Sequence, residues 1–114
     1  QEIALYSAAA SISNSTTAYT STDEVTGAGY TAGGNELTVT QTPTNYGNVA
    51  YVSFANTSWT NSTVSAAGAL IYNSSFNNAS VAVLNFGSTV TTQNQTFNIY
   101  FPAALANTAI IRIA

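Results

Sequence analysis

Five side chains in this sequence carry a charge: Glu2, Asp23, Glu24, Glu36 and Arg112. Two carboxylates that face each other across a sugar bond can hydrolyse it, and several together can hold a hard cation such as Ca²⁺. Asp23 and Glu24 are adjacent, however, so on a strand they would point to opposite faces. The spacing therefore predicts no catalytic pair. It favours a capped or solvated turn over a calcium site at Asp23 and Glu24.

Residues 21–24 match the capping box of a helix, in which Ser21 accepts from the backbone and Glu24 reaches back. Gly27 follows at a position where such a helix would end. An acidic turn without a helix fits the same residues. We therefore expect at most one short helical turn, followed by a flexible glycine-rich loop from Gly29 to Gly34.

Several residue types that perform chemistry are missing from the chain. It has no His, Cys, Met or Lys, which excludes zinc sites, disulfides and catalysis by thiol or imidazole. The Ser and Thr hydroxyls have no base to activate them. We therefore predict no catalytic residue, no cofactor-binding residue and no metal ligand, and a protein that is not an enzyme.

Charge and hydropathy exclude two classes of partner. One cation in a chain of net charge −3 cannot neutralise a phosphate backbone, so no nucleic acid is expected. The longest apolar run, Ala66 to Tyr72, is far shorter than the about 20 residues of a membrane helix. No membrane partner is expected either.

Trp59 and Arg112 are the two single residues that invite a functional interpretation. Trp59 lies in a polar stretch, where it could stack on a sugar ring. A lone Trp in a small β domain is more often an anchor in the core or at an interface, and we favour that interpretation. Arg112 lies within an apolar segment, so it needs a carboxylate partner, for which we predict Glu2 or Glu36.

The hydrophobic pattern predicts an all-β fold. Apolar and polar residues alternate in segments 36–40, 49–55 and 96–101, as in half-buried strands. Segments 66–72, 81–86 and 109–114 are more continuously apolar, which indicates cover on both faces by the chain itself or by another subunit. Residues 3–6 add an N-terminal strand.

Turn residues separate these segments, for example Asn73 to Ser75, Asn77-Asn78 and Gly87-Ser88. The spacing predicts a compact antiparallel β-sandwich or small barrel of six to eight short strands, of which a jelly roll is one form. No linker divides the chain, so residues 1–114 are expected to form a single domain. Residues 1–20, which are weakly patterned, are the candidate for an extended N-terminal arm.

The polar surface consists almost entirely of uncharged residues. The chain has 18 Thr, 13 Ser and 13 Asn, whereas only 4% of its residues are charged. Contacts through such a surface depend little on salt, and weak self-repulsion permits close association with like copies. This composition favours a structural or binding module embedded in a larger assembly.

Five segments of this chain resemble, in the same order, a pattern in small virion proteins of tailed bacteriophages: Thr17 to Gly34, Val52 to Trp59, Gly68 to Asn73, Val81 to Gly87 and Ala109 to Ala114. Within that class the chain is most similar to capsid decoration (cement) proteins. The resemblance implies a β-rich homotrimer on the outer surface of the capsid, which braces the major capsid protein at three-fold or quasi-three-fold positions. It implies no catalytic residue and no metal.

Two alternatives stay open at the level of sequence. A tail or head–tail junction component would be present in few copies per particle. A glycan-binding surface module would require an exposed Trp59.

Overall fold

The structure is a computed structural model that describes residues 1–13, 15–46, 49–101 and 112–113 of the chain. None of these residues is helical, and the prediction of an all-β fold is confirmed. Seven of the strands have five or more residues, and β2 and β9 have two each. The strands in the described part are β1 (Glu2–Tyr6), β2 (Asn35–Glu36), β3 (Val39–Tyr46), β4 (Val49–Phe54), β5 (Thr57–Ser62), β6 (Ser65–Asn73), β7 (Ala79–Thr91), β8 (Gln95–Tyr100) and β9 (Arg112–Ile113).

The strands pair in antiparallel fashion in a main sheet of order β2-β1-β6-β7, a second sheet of order β5-β8-β9 and a β3–β4 hairpin. One face of the main sheet packs on the second sheet. Ile3 and Ile71 of the main sheet belong to the same buried cluster as Trp59 and Phe97 of the second sheet. Side chains of two facing sheets thus form the core of a small β-sandwich.

The other face of the main sheet is covered by the chain segment that follows β1. Tyr6 and Tyr72 form a second buried cluster there, against which Ile12 and Tyr19 pack. A β-bridge between Ala18 and the start of β7 fastens this segment. The same chain therefore buries both faces of β1 and β6, as their continuous apolar runs require.

Residues 1–20 accordingly do not form an arm along their whole length. Ile3, Ala4, Leu5 and Tyr6 are fully buried in β1, which lies between β2 and β6 in the main sheet. An apolar strand with two hydrogen-bonded neighbours belongs to the folded core. The prediction of an extended arm is thus wrong for residues 2–6, while Ala10, Ile12 and Tyr19 pack against the outer face of the main sheet.

Strand β7 differs from β6 although both were predicted from continuous apolar runs. It lies at the edge of the main sheet, and none of its thirteen residues is buried. Gly87, predicted as part of a turn, instead lies within β7 at a register shift, with a φ of 81°. A glycine with positive φ is the usual residue at such a bulge.

Strand β5 was not predicted, because its sequence is polar apart from Trp59. Trp59 and Ser62 are its buried residues. The Ser62 hydroxyl lies 3.1 Å from the Thr92 hydroxyl and donates to the Gln95 carbonyl at 2.9 Å. A polar residue can thus occupy a core position because hydrogen bonds satisfy it.

Asparagine supplies much of the turn chemistry. Asn61, Asn77, Asn78 and Asn94 all have φ between 48° and 53°. Asn tolerates this left-handed conformation better than most residues because its short amide can bond to the local backbone. The abundance of Asn therefore partly reflects turns that other side chains would strain.

Candidate functional site

The most elaborate polar arrangement in the described residues surrounds the carboxylate of Glu24. Its Oε1 accepts a hydrogen bond from the Tyr19 hydroxyl at 2.6 Å. Its Oε2 accepts one from the Tyr30 hydroxyl and one from the Gly33 amide, the latter at 2.8 Å. Charge-assisted bonds of this kind are about twice as strong as neutral ones. Glu24 thus ties together three points that are 5 to 9 residues away in sequence.

A tight turn at residues 21–24 positions the Glu24 carboxylate. The Glu24 amide donates to the Ser21 carbonyl at 3.2 Å, and Asp23 has a φ of 60°. The segment is therefore the acidic turn, and the alternative helical turn with a capping box is wrong. Asp23 is exposed, whereas Glu24 is partly buried.

Glu2 provides a second carboxylate beside the first. Its Oε2 lies 2.9 Å from the Tyr72 hydroxyl, which also lies 2.7 Å from the Gly33 carbonyl. A phenol has one proton, so Tyr72 donates to one of these acceptors at a time. The rings of Tyr19 and Tyr72 stack with centroids 4.8 Å apart, which joins both carboxylates in one tyrosine–carboxylate network: Glu2, Glu24, Tyr19, Tyr30, Tyr72 and Gly33.

The network also completes the hydrogen bonding of β1. The Leu5 amide donates to the Tyr30 hydroxyl at 3.0 Å, and the Leu5 carbonyl accepts from the Val25 amide at 3.0 Å. These bonds lie beyond the two residues of β2, where β1 would otherwise lack a neighbour. A buried backbone group without a partner is costly, so Tyr30 and the 23–25 segment act as a substitute strand.

The tyrosines of the network are poor candidates for catalysis. Burial first, and then the nearby carboxylates, raise the pKa values of Tyr19, Tyr30 and Tyr72 well above the usual 10. Burial is also the main cause that raises the pKa of Tyr6 to about 12. Hydroxyls with such pKa values stay protonated near neutral pH. They can donate hydrogen bonds there but cannot serve as bases or nucleophiles.

The geometry also shows that Asp23 and Glu24 have different environments. Both oxygens of Glu24 are engaged by hydrogen-bond donors, while Asp23 is exposed to solvent. Among the residues that the structure describes, no group of three or more acidic, His or Cys side chains could hold a metal ion. The arrangement supports the solvated-turn interpretation at Asp23 and assigns Glu24 to internal bonding.

Trp59 is a core residue, since only 4% of its surface is exposed. Its ring meets Phe97 edge-on at a centroid distance of 5.9 Å and lies 6.0 Å from Tyr30. Its buried Nε1 has no hydrogen-bond partner among the described residues. A buried indole cannot stack on a sugar ring. Trp59 is therefore an anchor in the core of this chain, as the sequence predicted.

The predicted ion pair of Arg112 concerns a side chain outside the described part of the molecule. Of its two expected partners, Glu2 accepts from Tyr72, and Glu36 is exposed in β2. The backbone of Arg112 pairs with Tyr100 of β8.

Two further findings concern membrane-spanning helices and related proteins. No helix in the described ranges is long and apolar enough to span a membrane. Comparison with family models, with curated proteins and with solved structures gives no match.

The tyrosine–carboxylate network was missed at the level of sequence. Glu24 was predicted to lie in a helix cap or an acidic turn because the local Ser-x-x-Glu spacing is recognisable. Its partners lie outside that spacing, Tyr19 before it and Tyr30 and Gly33 in the glycine-rich loop. The available signal was the presence of a single cation, Arg112, in a chain with four carboxylates. A partly buried carboxylate without Arg or Lys must take hydroxyl and amide donors.

Proposed function

We propose that this chain is a non-enzymatic virion protein that decorates the capsid of a tailed bacteriophage and braces its major capsid protein. The proposal begins from the resemblance of five ordered segments to small virion proteins. The observation that supports it best is the charge-free span between Glu36 and Arg112, which includes all strands from β3 to β8.

A decoration protein has to remain folded and bound as conditions change around the particle. Contacts between uncharged polar surfaces are screened little by salt, because they contain few charges to screen. Both sheets of the sandwich enclose a common core, and the tyrosine–carboxylate network fixes the glycine-rich loop to β1. A compact, weakly charged module of this kind suits a bracing role.

The position of β1 changes how the N-terminal segment can contribute to binding. Residues 2–6 belong to the main sheet, so within residues 1–20 the candidates for a capsid contact are exposed positions of the segment that follows β1. Ala9 and Ser11 are exposed there. If this segment clamps the shell, Ala9→Lys or Ser11→Lys will lower capsid affinity, while Ser58→Lys, at an exposed position of β5, will not.

Copy number is the first test of the proposal. Quantitative mass spectrometry of purified particles gives the ratio of this chain to the major capsid protein. A ratio near one supports a shell-covering role, and a ratio of a few per cent supports the tail or head–tail alternative instead. Absence from particles would refute both.

Binding to expanded capsids that lack the protein provides the second test. We expect an affinity that changes little between low and high salt, whereas an interface dominated by ion pairs would weaken steeply. The trimer implied by the resemblance is tested separately, by the mass of the free protein in solution.

The glycan-binding alternative has lost its main candidate residue, because Trp59 is buried. Titration with glycans should therefore leave the Trp59 fluorescence unchanged. A saturable change in emission would bring this alternative back.

A further inference from the structure

A phenylalanine side chain projects from the turn that joins β6 to β7. Phe76 is 67% exposed, more than any other bulky apolar residue of the described part. A single exposed apolar residue is common and by itself indicates no partner. The turn around Phe76, however, is tightly bonded, which gives the phenyl group a defined place on the surface.

Hydrogen bonds and left-handed residues order this turn. The Phe76 carbonyl accepts from the Ala79 amide at 3.0 Å, and Asn77 and Asn78 have φ of 52° and 53°. The Asn78 carbonyl accepts from the Tyr19 amide at 2.9 Å, which ties the turn to the segment after β1. A side chain on an ordered turn loses less conformational entropy when it binds.

The outer face of the main sheet contains a cleft of the right size for a phenyl group. Its volume is about 170 Å³, and a cavity of about 150 Å³ is large enough to hold benzene. Ser7 and Asn85 contribute polar side chains to the cleft. Most of its other lining residues are apolar, among them Tyr6, Ala10, Ile12, Ala67, Gly68 and Val83.

Small residues create this cleft. Gly68 of β6 pairs with Tyr6 of β1 on one side and with β7 on the other. A Cβ at Gly68 would lie 2.8 Å from the Leu84 carbonyl oxygen, so a larger residue would not fit without a shift of the backbone. Ala67 and Ala10 add only methyl groups. Open space therefore remains between β6 and the segment that follows β1.

One copy of the chain cannot fill its own cleft with Phe76. The five residues from Gly68 to Asn73 place the cleft about 17 Å from the start of the turn, at about 3.3 Å per residue of strand. A phenylalanine side chain is much shorter than this distance. Phe76 and the cleft can therefore meet only between two molecules.

Two other clefts of the described residues fit a phenyl group less well. A groove beside the acidic turn includes Asp23 and Glu24 together with several Thr and Ser residues. Another, near the start of β7, includes Ser13 and Thr16. A phenyl group placed there would remove water from charged groups or hydroxyls, which is costly. The cleft beside Gly68 has no charged lining residue.

This chain thus contains both an exposed phenyl group and a space that accepts one, which indicates a second copy as the occupant. We propose that copies of this chain associate head to tail, with Phe76 of one copy inserted into the cleft beside Gly68 of the next. Each copy then gives one phenyl group and receives one.

Head-to-tail contacts close into a ring of copies when the rotation between neighbours allows it. A ring of three copies is the homotrimer that the resemblance implies, and that number rests on the function proposed above. The contact itself does not depend on that function, because the mass of the free protein tests it without a capsid.

Removal of the phenyl group is the first test. Phe76→Ser should lower the association constant at least about tenfold, because buried aromatic residues dominate most interfaces. Val81→Thr is the matched control, since Val81 is also apolar and 50% exposed but does not line the cleft. Sedimentation velocity over a concentration series gives the mass and affinity of each protein. The parent protein and Val81→Thr should form the same oligomer.

A mixture of two defective variants tests the head-to-tail geometry. Ala10→Leu fills the cleft but keeps Phe76, whereas Phe76→Ser keeps the cleft. Each variant alone should stay monomeric where the parent protein associates, while an equimolar mixture should form a complex of two chains that cannot grow further. If urea denaturation shows that Ala10→Leu is poorly folded, Ala8→Glu replaces it, because Ala8 lines the cleft at an exposed position.

Three results would overturn the proposal. One is a parent protein that stays monomeric throughout the series while Phe76→Ser weakens binding to capsids, since Phe76 would then contact a capsid subunit. Another is equal association of the Phe76→Ser and Val81→Thr proteins, including the case in which neither they nor the parent protein associate. The third is a mixture of the two defective variants that gives no complex of two chains. Copy number in particles is unaffected by these results and tests the proposed function separately.

Discussion

Glu24 should contribute more to stability than any other charged residue in the described part of the chain. In a Glu24→Ala protein, the hydroxyls of Tyr19 and Tyr30 and the amide of Gly33 would lose their shared acceptor. Each bond to a charged group contributes about 1.5–3 kcal/mol. Water can replace part of this, because the site is only partly buried. We therefore expect a loss of about 3–5 kcal/mol in the free energy of unfolding, a large share of the about 5–15 kcal/mol typical of a domain.

The neighbouring acid offers a control with the same change in net charge. Glu24→Gln and Asp23→Asn both replace a carboxylate by an amide, but Asp23 is exposed and Asn accepts its positive φ. Glu24→Gln keeps one acceptor oxygen and presents an NH₂ group to the other donors. We expect it to cost about 2 kcal/mol, with Asp23→Asn within about 0.5 kcal/mol of the parent protein.

Urea denaturation followed by Trp59 fluorescence measures these differences, provided that the transition is two-state. The order Glu24→Ala, Glu24→Gln, Asp23→Asn, from least to most stable, is the expected result. If Glu24→Ala and Asp23→Asn have the same midpoint and slope, the carboxylate is not the hub of the network and the reasoning fails.

Three other predictions concern backbone, core and pH. Gly34→Ala should cost at least about 3 kcal/mol, because the added Cβ would lie 1.8 Å from the Ile3 carbonyl oxygen. Gly87→Ala has the same φ of 81° but open space around it, and should cost about 1 kcal/mol; equal urea midpoints would contradict the steric argument. Trp59→Ala should cost about 3–5 kcal/mol, and the parent protein should show blue-shifted emission that resists acrylamide quenching. Tyr6 has a pKa raised to about 12 by burial, so the folded state retains a proton that the unfolded chain loses near pH 10. Stability should therefore be fully present below pH 10 and fall as the pH rises through about 12, and a urea midpoint that stays constant over this range would contradict it.

Much of the fold could be predicted, because period-two alternation directly marks strands with one buried face. Segments 49–55 and 96–101 correspond closely to β4 and β8. The continuous apolar run at 66–72 correctly indicated that both faces of β6 are covered. The similar run at 81–86 lies in β7, at the edge of the main sheet. Hydrophobicity alone does not distinguish these cases, because the order of strands in the sheet decides which run has two neighbours.

The candidate site was much less accessible to sequence reasoning. Its residues come from the acidic turn, the segment before that turn, the glycine-rich loop and strands β1 and β6. No short sequence motif indicates that residues so far apart lie together. Strand β5 shows a related difficulty, since Ser62 takes a core position only because Thr92 and Gln95 satisfy its hydroxyl. Polar residues at buried positions depend on partners from other segments, which local patterns do not include.

The network and the lack of charged residues in β7 follow from the same scarcity of charge. With a single cation in the chain, Glu2 and Glu24 use tyrosine and backbone donors, which fix the β2 side of the main sheet. The remaining exposed carboxylates of the described part, Asp23 and Glu36, lie on that same side. The opposite edge is therefore free of the charges that normally keep strands apart. A chain with so few charges therefore satisfies its partly buried carboxylates with hydroxyl and amide donors in place of ion pairs.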